Sequence, residues 1–266
     1  MAKAPFDVAS ELQLIPGLAE VGVEILDELA ANASHRTAHA NVTLLAQGAV
    51  SPHLIFLVRG AVKTVRQPVD AEDADPVVLD VLRAPCRIPD ASIFDQQPAV
   101  ASVVTLRSSQ FVTVGRASLL ETLTRAPSLA VYLLAGAADD ARTYAQRIDG
   151  LVAGSADERI VRLLDGLARA HGTPLGQGRF IAIPLRRRDI ANMVNATTET
   201  VSRLLARLER DGRARSTRDG IWWLPGAPPP KTSLGLPASI EMVASAPEPP
   251  HFPPSPPAKD DLKGSH

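Results

Sequence analysis

The order of apolar and polar residues divides the chain into segments with different periods. Residues 18–34 have the spacing of a short amphipathic helix, with apolar side chains at Leu18, Val21, Ile25, Leu26 and Leu29. Residues 35–115 instead contain short runs such as LIFLVRGAVKTVR and QFVTVG, bounded by Gly or Pro. Such runs predict roughly eight short strands in an antiparallel barrel or roll. The acidic stretch 68–76 lacks apolar periodicity and predicts a solvated hairpin loop.

A longer helical pattern follows the predicted strands. Residues 116–125 predict one short helix, and Pro127 begins a longer one. Within the longer helix, apolar residues recur at alternating steps of four and three, at Ala130, Leu134, Ala137, Ala141, Tyr144, Ile148 and Leu151. A narrow heptad seam of this kind, flanked by charged residues, favours a parallel homodimer. The predicted dimer interface is Leu134, Ala137, Ala141, Tyr144, Ile148 and Leu151; packing of the helix within its own domain is the alternative.

The next segment has the signals of a winged helix-turn-helix module. Gly154 interrupts the long helix, and the Ser-x-x-Glu spacing of residues 155–158 predicts a capping box that starts a new one, so a hinge is expected there. A strand within RFIAIPL precedes two predicted helices. The stretch RARSTRDGIWWL then predicts a hairpin, with Asp219 and Gly220 in its tight turn.

These elements predict an α+β protein with four regions. They are a β-roll sensor domain (1–126), a dimerisation helix (127–154), a winged helix-turn-helix domain (155–226) and a disordered proline-rich tail (227–266). From Pro225 onward, 12 of 42 residues are proline and few are apolar. A segment of this composition does not bury enough surface to offset its chain entropy.

The second helix of the winged module carries the candidate functional residues. Asn195 suits a sharp turn between helices because it tolerates positive φ, and the Thr197 hydroxyl can cap the helix that follows. The first turns of that helix expose residues three and four positions apart, which share a face. Arg can hold guanine with two hydrogen bonds, Glu can accept from cytosine, and Ser or Thr can contact thymine. The predicted DNA-binding residues are Thr197, Thr198, Glu199, Ser202, Arg203, Arg187 and Arg188.

Charge supports this interpretation of the helix. The chain of 266 residues has a net charge of -1, yet residues 155–224 contain 13 Arg and no Lys against 8 acidic residues. This balance of +5 leaves about -6 for the rest, an asymmetry typical of a nucleic-acid module attached to an acidic sensor. The alternative is a solvated helix on which Glu199 and Arg203 form an ordinary ion pair.

The order of these elements, together with RRDIANMVNATTETVSRLLARLERDG, resembles the CRP/FNR family of bacterial transcription regulators over about residues 11–224. The resemblance implies a homodimer on palindromic double-stranded DNA and contact with RNA polymerase. Glu-x-x-Ser-Arg in the recognition helix is similar to the FNR branch, which implies a TTGAT-N4-ATCAA-like site. In that assignment Arg203 contacts the guanine, Glu199 the opposing cytosine and Ser202 a thymine.

The sensor domain departs from the family's cyclic-nucleotide pattern. Members that bind cyclic nucleotides carry a Gly-Glu-x-(Ala/Ser) stretch and then an Arg-Ser/Thr-Ala stretch. Here residues 89–92 read PDAS and residues 99–102 read AVAS, so no arginine stands where the cyclic phosphate requires one. We therefore expect no binding of cAMP or cGMP in the usual pose, with Arg87 as the one nearby substitute.

Cofactor, enzyme and membrane alternatives have less support. The single cysteine, Cys86, excludes an iron–sulfur cluster held by four thiolates of one chain. We expect no cofactor and no metal; haem held by Cys86, His35, His39 or His53 is the alternative. His35 and His39 also suggest a cupin-type metal enzyme, but the further His and Glu of such sites are absent, so no enzyme is expected.

A β-roll interaction module with a vestigial DNA face is the third alternative. The absence of a long apolar run or a signal-like start predicts a cytoplasmic protein without membrane contact.

Overall fold

The structure, a computed structural model, describes residues 6–68, 74–152 and 154–225, with side chains not described for 149–152. The predicted disordered tail, most of the predicted loop at 68–76 and the side chain of Leu151 lie outside the described residues. All described residues fall within one compact unit of the chain.

The N-terminal part is an antiparallel β-roll, as predicted. It is preceded by α1 (Val8–Gln13), a 3₁₀ helix (Leu18–Val21) and α2 (Val23–Ala31). The eight strands are β1 (Ala33–Ala38), β2 (Thr43–Leu45), β3 (His53–Arg59), β4 (Ala61–Arg66), β5 (Val77–Arg83), β6 (Cys86–Arg87), β7 (Ser102–Thr105) and β8 (Ser109–Gly115), with α3 (Ser92–Asp95) after β6. They form two four-stranded sheets, ordered β1-β8-β3-β6 and β2-β7-β4-β5. The helix predicted over 18–34 is divided at Gly22, whose φ of 109° ends the 3₁₀ helix before α2 begins.

The run LIFLV in β3 is apolar throughout because both of its faces are buried. Ile55 and Leu57 belong to the core between the two sheets. Leu54 and Phe56 point to the opposite face, where α1, α2 and α4 (Arg116–Arg125) supply the apolar cover. Side chains alternate between the faces of a strand, so a strand covered on both sides loses its polar positions.

The helices that follow connect the roll to the C-terminal module. α5 (Pro127–Val152) is the predicted long helix, and α6 (Ala156–His171) begins after Gly154, which has a φ of 84°. Ser155 and Glu158 form the predicted capping box: Ser155 Oγ accepts from Glu158 N, and Glu158 accepts from Ser155 N at 2.8 Å. The chain therefore changes direction between two well-defined helices. No helix in the described ranges is long and apolar enough to cross a membrane.

The C-terminal module is a winged helix-turn-helix. Its elements are β9 (Gly172–Leu175), β10 (Gly178–Ile181), α7 (Arg187–Val194), α8 (Thr198–Arg210), β11 (Ala214–Ser216) and β12 (Ile221–Trp223). The strands form one antiparallel sheet ordered β11-β12-β10-β9, which includes the unpredicted β9. Its apolar core also contains Ala61, Val78 and Val81 of the β-roll. The module therefore packs directly on β4 and β5.

Candidate nucleic-acid interface

The turn between α7 and α8 has the conformation that the sequence predicts. Asn195 ends α7 with φ 49° and ψ 59°, in the left-handed region. Arg159 of α6 fixes this turn, because its Nε donates to Val194 O at 2.8 Å and its Nη2 to Asn195 O at 2.9 Å. Its Nη1 also donates to Gly154 O at 2.8 Å. Arg159 thus connects the predicted hinge at Gly154 to the turn between α7 and α8. No local sequence signal identifies this role.

The start of α8 is capped as predicted. Thr197 has extended backbone angles, and its Oγ1 accepts from Thr200 N at 3.1 Å. The cap leaves other N–H groups of the first turn directed outward, where the positive end of the helix dipole favours an anion. This end of α8 is therefore suited to a DNA phosphate.

One face of α8 is buried and the opposite face carries the predicted base-reading residues. Val201, Leu204, Leu205 and Leu208 are buried in the module. Thr198, Glu199 and Arg203 are exposed, and Ser202 is half-buried beside them. Within the described part of the chain, no ion pair joins Glu199 to Arg203. Both charged groups are therefore available for contacts outside the protein.

The first turn of α7 is held by the β-roll through three side-chain contacts, which we call the roll clamp. Lys63 Nζ lies 2.5 Å from Asp189 Oδ1, and both side chains are largely buried, with exposures of 22% and 7%. Arg186 Nη2 donates to Asn41 Oδ1 at 3.3 Å. Arg188 Nη2 lies 2.6 Å from Asp75 Oδ1 in an exposed pair.

Asp189 also caps its own helix. Its Oδ2 accepts from the backbone N–H of Arg186 at 3.0 Å, while its other oxygen faces Lys63. Arg187, in contrast, is exposed in the same turn. The three adjacent arginines are therefore not equivalent: two contact the β-roll and one faces solvent.

The wing is joined to the far end of α8. Glu209 accepts from Ser216 N at 2.9 Å, and hydrogen bonding to Ser216 lowers the pKa of this carboxyl. The hairpin turn is closed by Thr217, whose Oγ1 donates to Gly220 O at 2.9 Å. Arg215 and Arg218 are exposed on the wing. The wing thus adds positive charge beside the recognition helix, where flanking phosphates would lie.

A cavity of about 300 Å³ lies between the β-roll and α5, lined by both stretches that replace the family's cyclic-nucleotide elements. The charged residues that line it are all acidic: Asp90, Asp95 and Asp140. Tyr144 of α5 also lines this cavity, and burial raises its pKa to about 12. Asp90 and Asp95 therefore repel an anion placed in this cavity.

Arg87 is used inside the protein. Its guanidinium pairs with Asp140 of α5 and donates to Ile88 O at 3.3 Å. It also lies against Gly136, where an added Cβ would be 2.9 Å from Nη2. The side chain therefore joins β6 to the long helix instead of facing the cavity as an anion ligand.

The predicted dimer seam is partly exposed in the single chain. Leu134 and Ile148 are 70% and 63% exposed, and Ala137 and Ala141 are also exposed. Tyr144 differs, because it is half-buried against its own β-roll. The dimer interface remains a prediction, with its apolar residues uncovered along most of the seam.

The residues considered for haem or a metal lie on three strands of the β-roll or next to them: Cys86 in β6, His53 in β3, and His35 and His39 in and just after β1. Burial raises the pKa of the Cys86 thiol to about 12, which favours the neutral thiol over an iron-binding thiolate. The His35 ring stacks on Phe6 with 3.5 Å between ring centroids, and His39 follows the end of β1. Among the residues that the structure describes, no three His, Cys, Asp or Glu side chains are grouped to hold a metal ion.

Comparison with known proteins agrees with both parts of the fold. Residues 158–224 match the family model of a Crp-like helix-turn-helix domain, and residues 35–126 match that of a cyclic nucleotide-binding domain. A CRP-like cAMP-activated global transcriptional regulator of Mycobacterium tuberculosis is 26% identical over 173 residues, which are 65% of this chain and 76% of that protein. The nitrogen fixation regulation protein FixK of Bradyrhizobium diazoefficiens is 34% identical over 92 residues, 35% of this chain and 34% of that protein.

A solved structure has the same architecture. The c-di-GMP-responsive global regulator CLP of Xanthomonas campestris superposes with a TM-score of 0.64. The match covers 77% of this chain and 100% of that one at 16% sequence identity, a level that shows the fold alone.

Proposed function

The chain belongs to the CRP/FNR family of DNA-binding transcription regulators, and we propose that it binds a TTGAT-N4-ATCAA-like palindrome as a homodimer. The observation that carries the proposal is the exposed face of α8, where Glu199, Ser202 and Arg203 stand together above a buried apolar face. Because the turn and the cap before this face are fixed by hydrogen bonds, its side chains project from a rigid support.

Each residue has a separate role in the proposed complex. Arg203 donates two hydrogen bonds to guanine O6 and N7, Glu199 accepts from the paired cytosine, and Ser202 contacts thymine. The phosphates on either side are held by Thr197 and Thr198 at the start of α8 and by Arg187 and Arg188. In this role the protein acts in the cytoplasm and contacts RNA polymerase at the promoter.

The homodimer follows from the palindrome and from the exposed seam. Two recognition helices must enter successive major grooves, about 34 Å apart. A parallel pair of α5 helices joined through Leu134, Ala137, Ala141 and Ile148 would cover the apolar side chains that the single chain leaves exposed.

The acidic cavity supports a sensor that does not take cAMP. A cyclic phosphate placed there would face Asp90 and Asp95, and Arg87 is already paired with Asp140. We therefore expect 1 mM cAMP, which would half-saturate a site with a Kd of about 1 mM, to shift the melting temperature of the unaltered protein no more than that of Ala91→Glu, a variant with one more carboxylate in the cavity lining. Asp140→Asn removes the carboxylate partner of Arg87, so we expect this variant to accept an anion in the cavity more readily than the unaltered protein. A saturable rise in melting temperature with cAMP that Ala91→Glu reduces would contradict this interpretation.

The roll clamp supports the proposal that the described arrangement is the one without DNA. The first helix of such a module crosses the DNA backbone, yet Arg188 at its start is paired with Asp75 of the β-roll. We expect Asp75→Asn to raise DNA affinity up to about fivefold, the range of an exposed ion pair. The matched control is Asp139→Asn, which removes the same charge from the exposed Arg142 pair on α5. Equal affinities of the two variants, measured by fluorescence anisotropy, would argue against the clamp.

The proposed function itself is tested with purified, untreated protein. Fluorescence anisotropy is measured on a duplex carrying TTGAT-N4-ATCAA and on one with both guanines changed, across a salt series. We expect tight, salt-dependent binding that weakens when the guanines are changed. Absence of salt-dependent binding to either duplex would favour the interaction module with a vestigial DNA face.

A further inference from the structure

A second cleft, of about 500 Å³, lies where the β-roll, the long helix and the winged module meet. Its walls come from β5, from the C-terminal half of α5, from one face of α6 and from the end of α7. It is separate from the acidic cavity, with which it shares no lining residue. We call it the junction cleft.

The junction cleft is strongly basic. Among the residues that the structure describes, its charged lining consists of four arginines, Arg147, Arg159, Arg162 and Arg169, and one carboxylate, Asp80. Asp80 is already engaged, because Arg147 Nη2 lies 2.9 Å from its Oδ1. His171 also lines the cleft; burial lowers its pKa, against the raising influence of Asp80, so the imidazole is largely neutral near pH 7. The described side chains of the lining therefore include more arginines than carboxylates at neutral pH.

Two of these arginines are fixed before any ligand arrives. Arg147 is held by Asp80, and Arg159 is held by the carbonyls of Gly154, Val194 and Asn195. The Arg159 contacts are all to neutral backbone groups, so they orient the guanidinium without neutralising its charge. Prearranged cationic donors reduce the entropy that is lost when an anion binds.

The shape of the cleft suits an organic anion better than a bare inorganic one. Its apolar lining consists of Leu82, Leu163, Leu167, Met193, Val194 and Ala170. In the wall formed by α6, Gly166 lies between Arg162 and Arg169, and a Cβ added there would meet nothing within 4 Å. A flat apolar body therefore has space beside the guanidinium groups, and the volume is in the range of small-molecule sites.

We propose that the junction cleft binds a small organic anion of nucleotide size, whose phosphate or carboxylate groups are held by the arginines and whose apolar body packs on the leucines. Such a ligand would bridge the β-roll, α5 and α6. It would stabilise the arrangement in which the roll clamp is formed, and would therefore weaken DNA binding. Ligand binding to the junction cleft is measured directly, so its failure can be distinguished from a failure of the proposed DNA sequence.

The test uses the full chain and ATP as the probe, by isothermal titration calorimetry near 0.15 M salt to suppress weak surface binding. The informative variant is Gly166→Glu, which places a carboxylate in open space within the cleft and raises helix propensity, so the helix should remain folded. Its matched control, Ala117→Glu, makes the same charge change at an exposed position of α4. A second control, Arg187→Gln with Arg203→Gln, removes two exposed arginines from the proposed DNA face and leaves the roll clamp intact.

The proposal predicts that ATP binds the unaltered protein and both controls alike, and binds Gly166→Glu at least about tenfold more weakly, the loss of one charge-assisted contact. Equal binding by Gly166→Glu, loss of binding in the Arg187/Arg203 variant, or no ATP binding at all would overturn it. Pyrophosphate serves as the charge-only probe: weaker binding than ATP supports the role of the apolar lining, and equal binding contradicts it.

Discussion

Replacing Arg203 with alanine is expected to abolish the preference for guanine in the half-site while leaving the protein folded. The side chain is exposed on α8 and makes no ion pair with Glu199 among the described residues. Its proposed bidentate contact contributes about 1–3 kcal/mol of discrimination. The ratio of affinities for the TTGAT duplex and the guanine-changed duplex should therefore fall by about 5- to 150-fold.

Arg210→Ala is the matched control for this experiment. Arg210 is exposed in the last turn of the same helix, on the same side as Arg203 but two turns closer to the C-terminus, and donates to Ala206 O at 3.4 Å. Its loss should weaken both duplexes alike, as expected for a general electrostatic contribution. If Arg203→Ala also weakens both duplexes by the same factor, Arg203 contacts phosphate and the assignment of the guanine is wrong.

Gly60→Ala is expected to destabilise the β-roll by about 3 kcal/mol or more, because two costs add at this position. Gly60 connects β3 to β4 with a φ of 106°, a conformation that favours glycine. An added Cβ would also lie 2.2 Å from Ser109 Oγ and 2.8 Å from Ser109 Cα. The hydroxyl can rotate away, but the backbone atom can move only with its strand.

Gly48→Ala separates these two costs. Gly48 also has a positive φ, 83°, but a Cβ there would meet nothing within 4 Å. Its substitution should therefore cost only the backbone strain, about 1–2 kcal/mol. Urea unfolding of both variants measures the difference. Equal losses of the free energy of unfolding would show that strand β8 accommodates the methyl group at Gly60 without resistance.

The sequence predicts the recognition turn well because its signals are local. Asn195 supplies the left-handed residue and Thr197 the cap, and each acts on backbone groups within five positions. The β-roll follows from similarly local alternation between apolar strands and turn residues. Both features can therefore be predicted from neighbouring residues alone.

The contacts that position the module could not be predicted in the same way. Lys63 and Asp189 are 126 positions apart, and nothing in either segment identifies the other as its partner. Tyr144 illustrates the same limit within a helix. The heptad places it on the predicted seam, but the structure places it half-buried beside a cavity of its own β-roll. A periodic pattern predicts which residues share a helix face, and it does not predict which surface covers that face.

The apolar core shared by the winged module and the β-roll affects how the protein can be recombined with its relatives. Val78 and Val81 of β5 are 2% and 0% exposed because they are packed in the same cluster as Ile190 of α7. In a chimaera joined at Gly154, these valines would contact the surface of a foreign winged module, which is not complementary to them. Exchange of DNA specificity between paralogues is therefore easier by substitution along α8 than by transplanting the whole module.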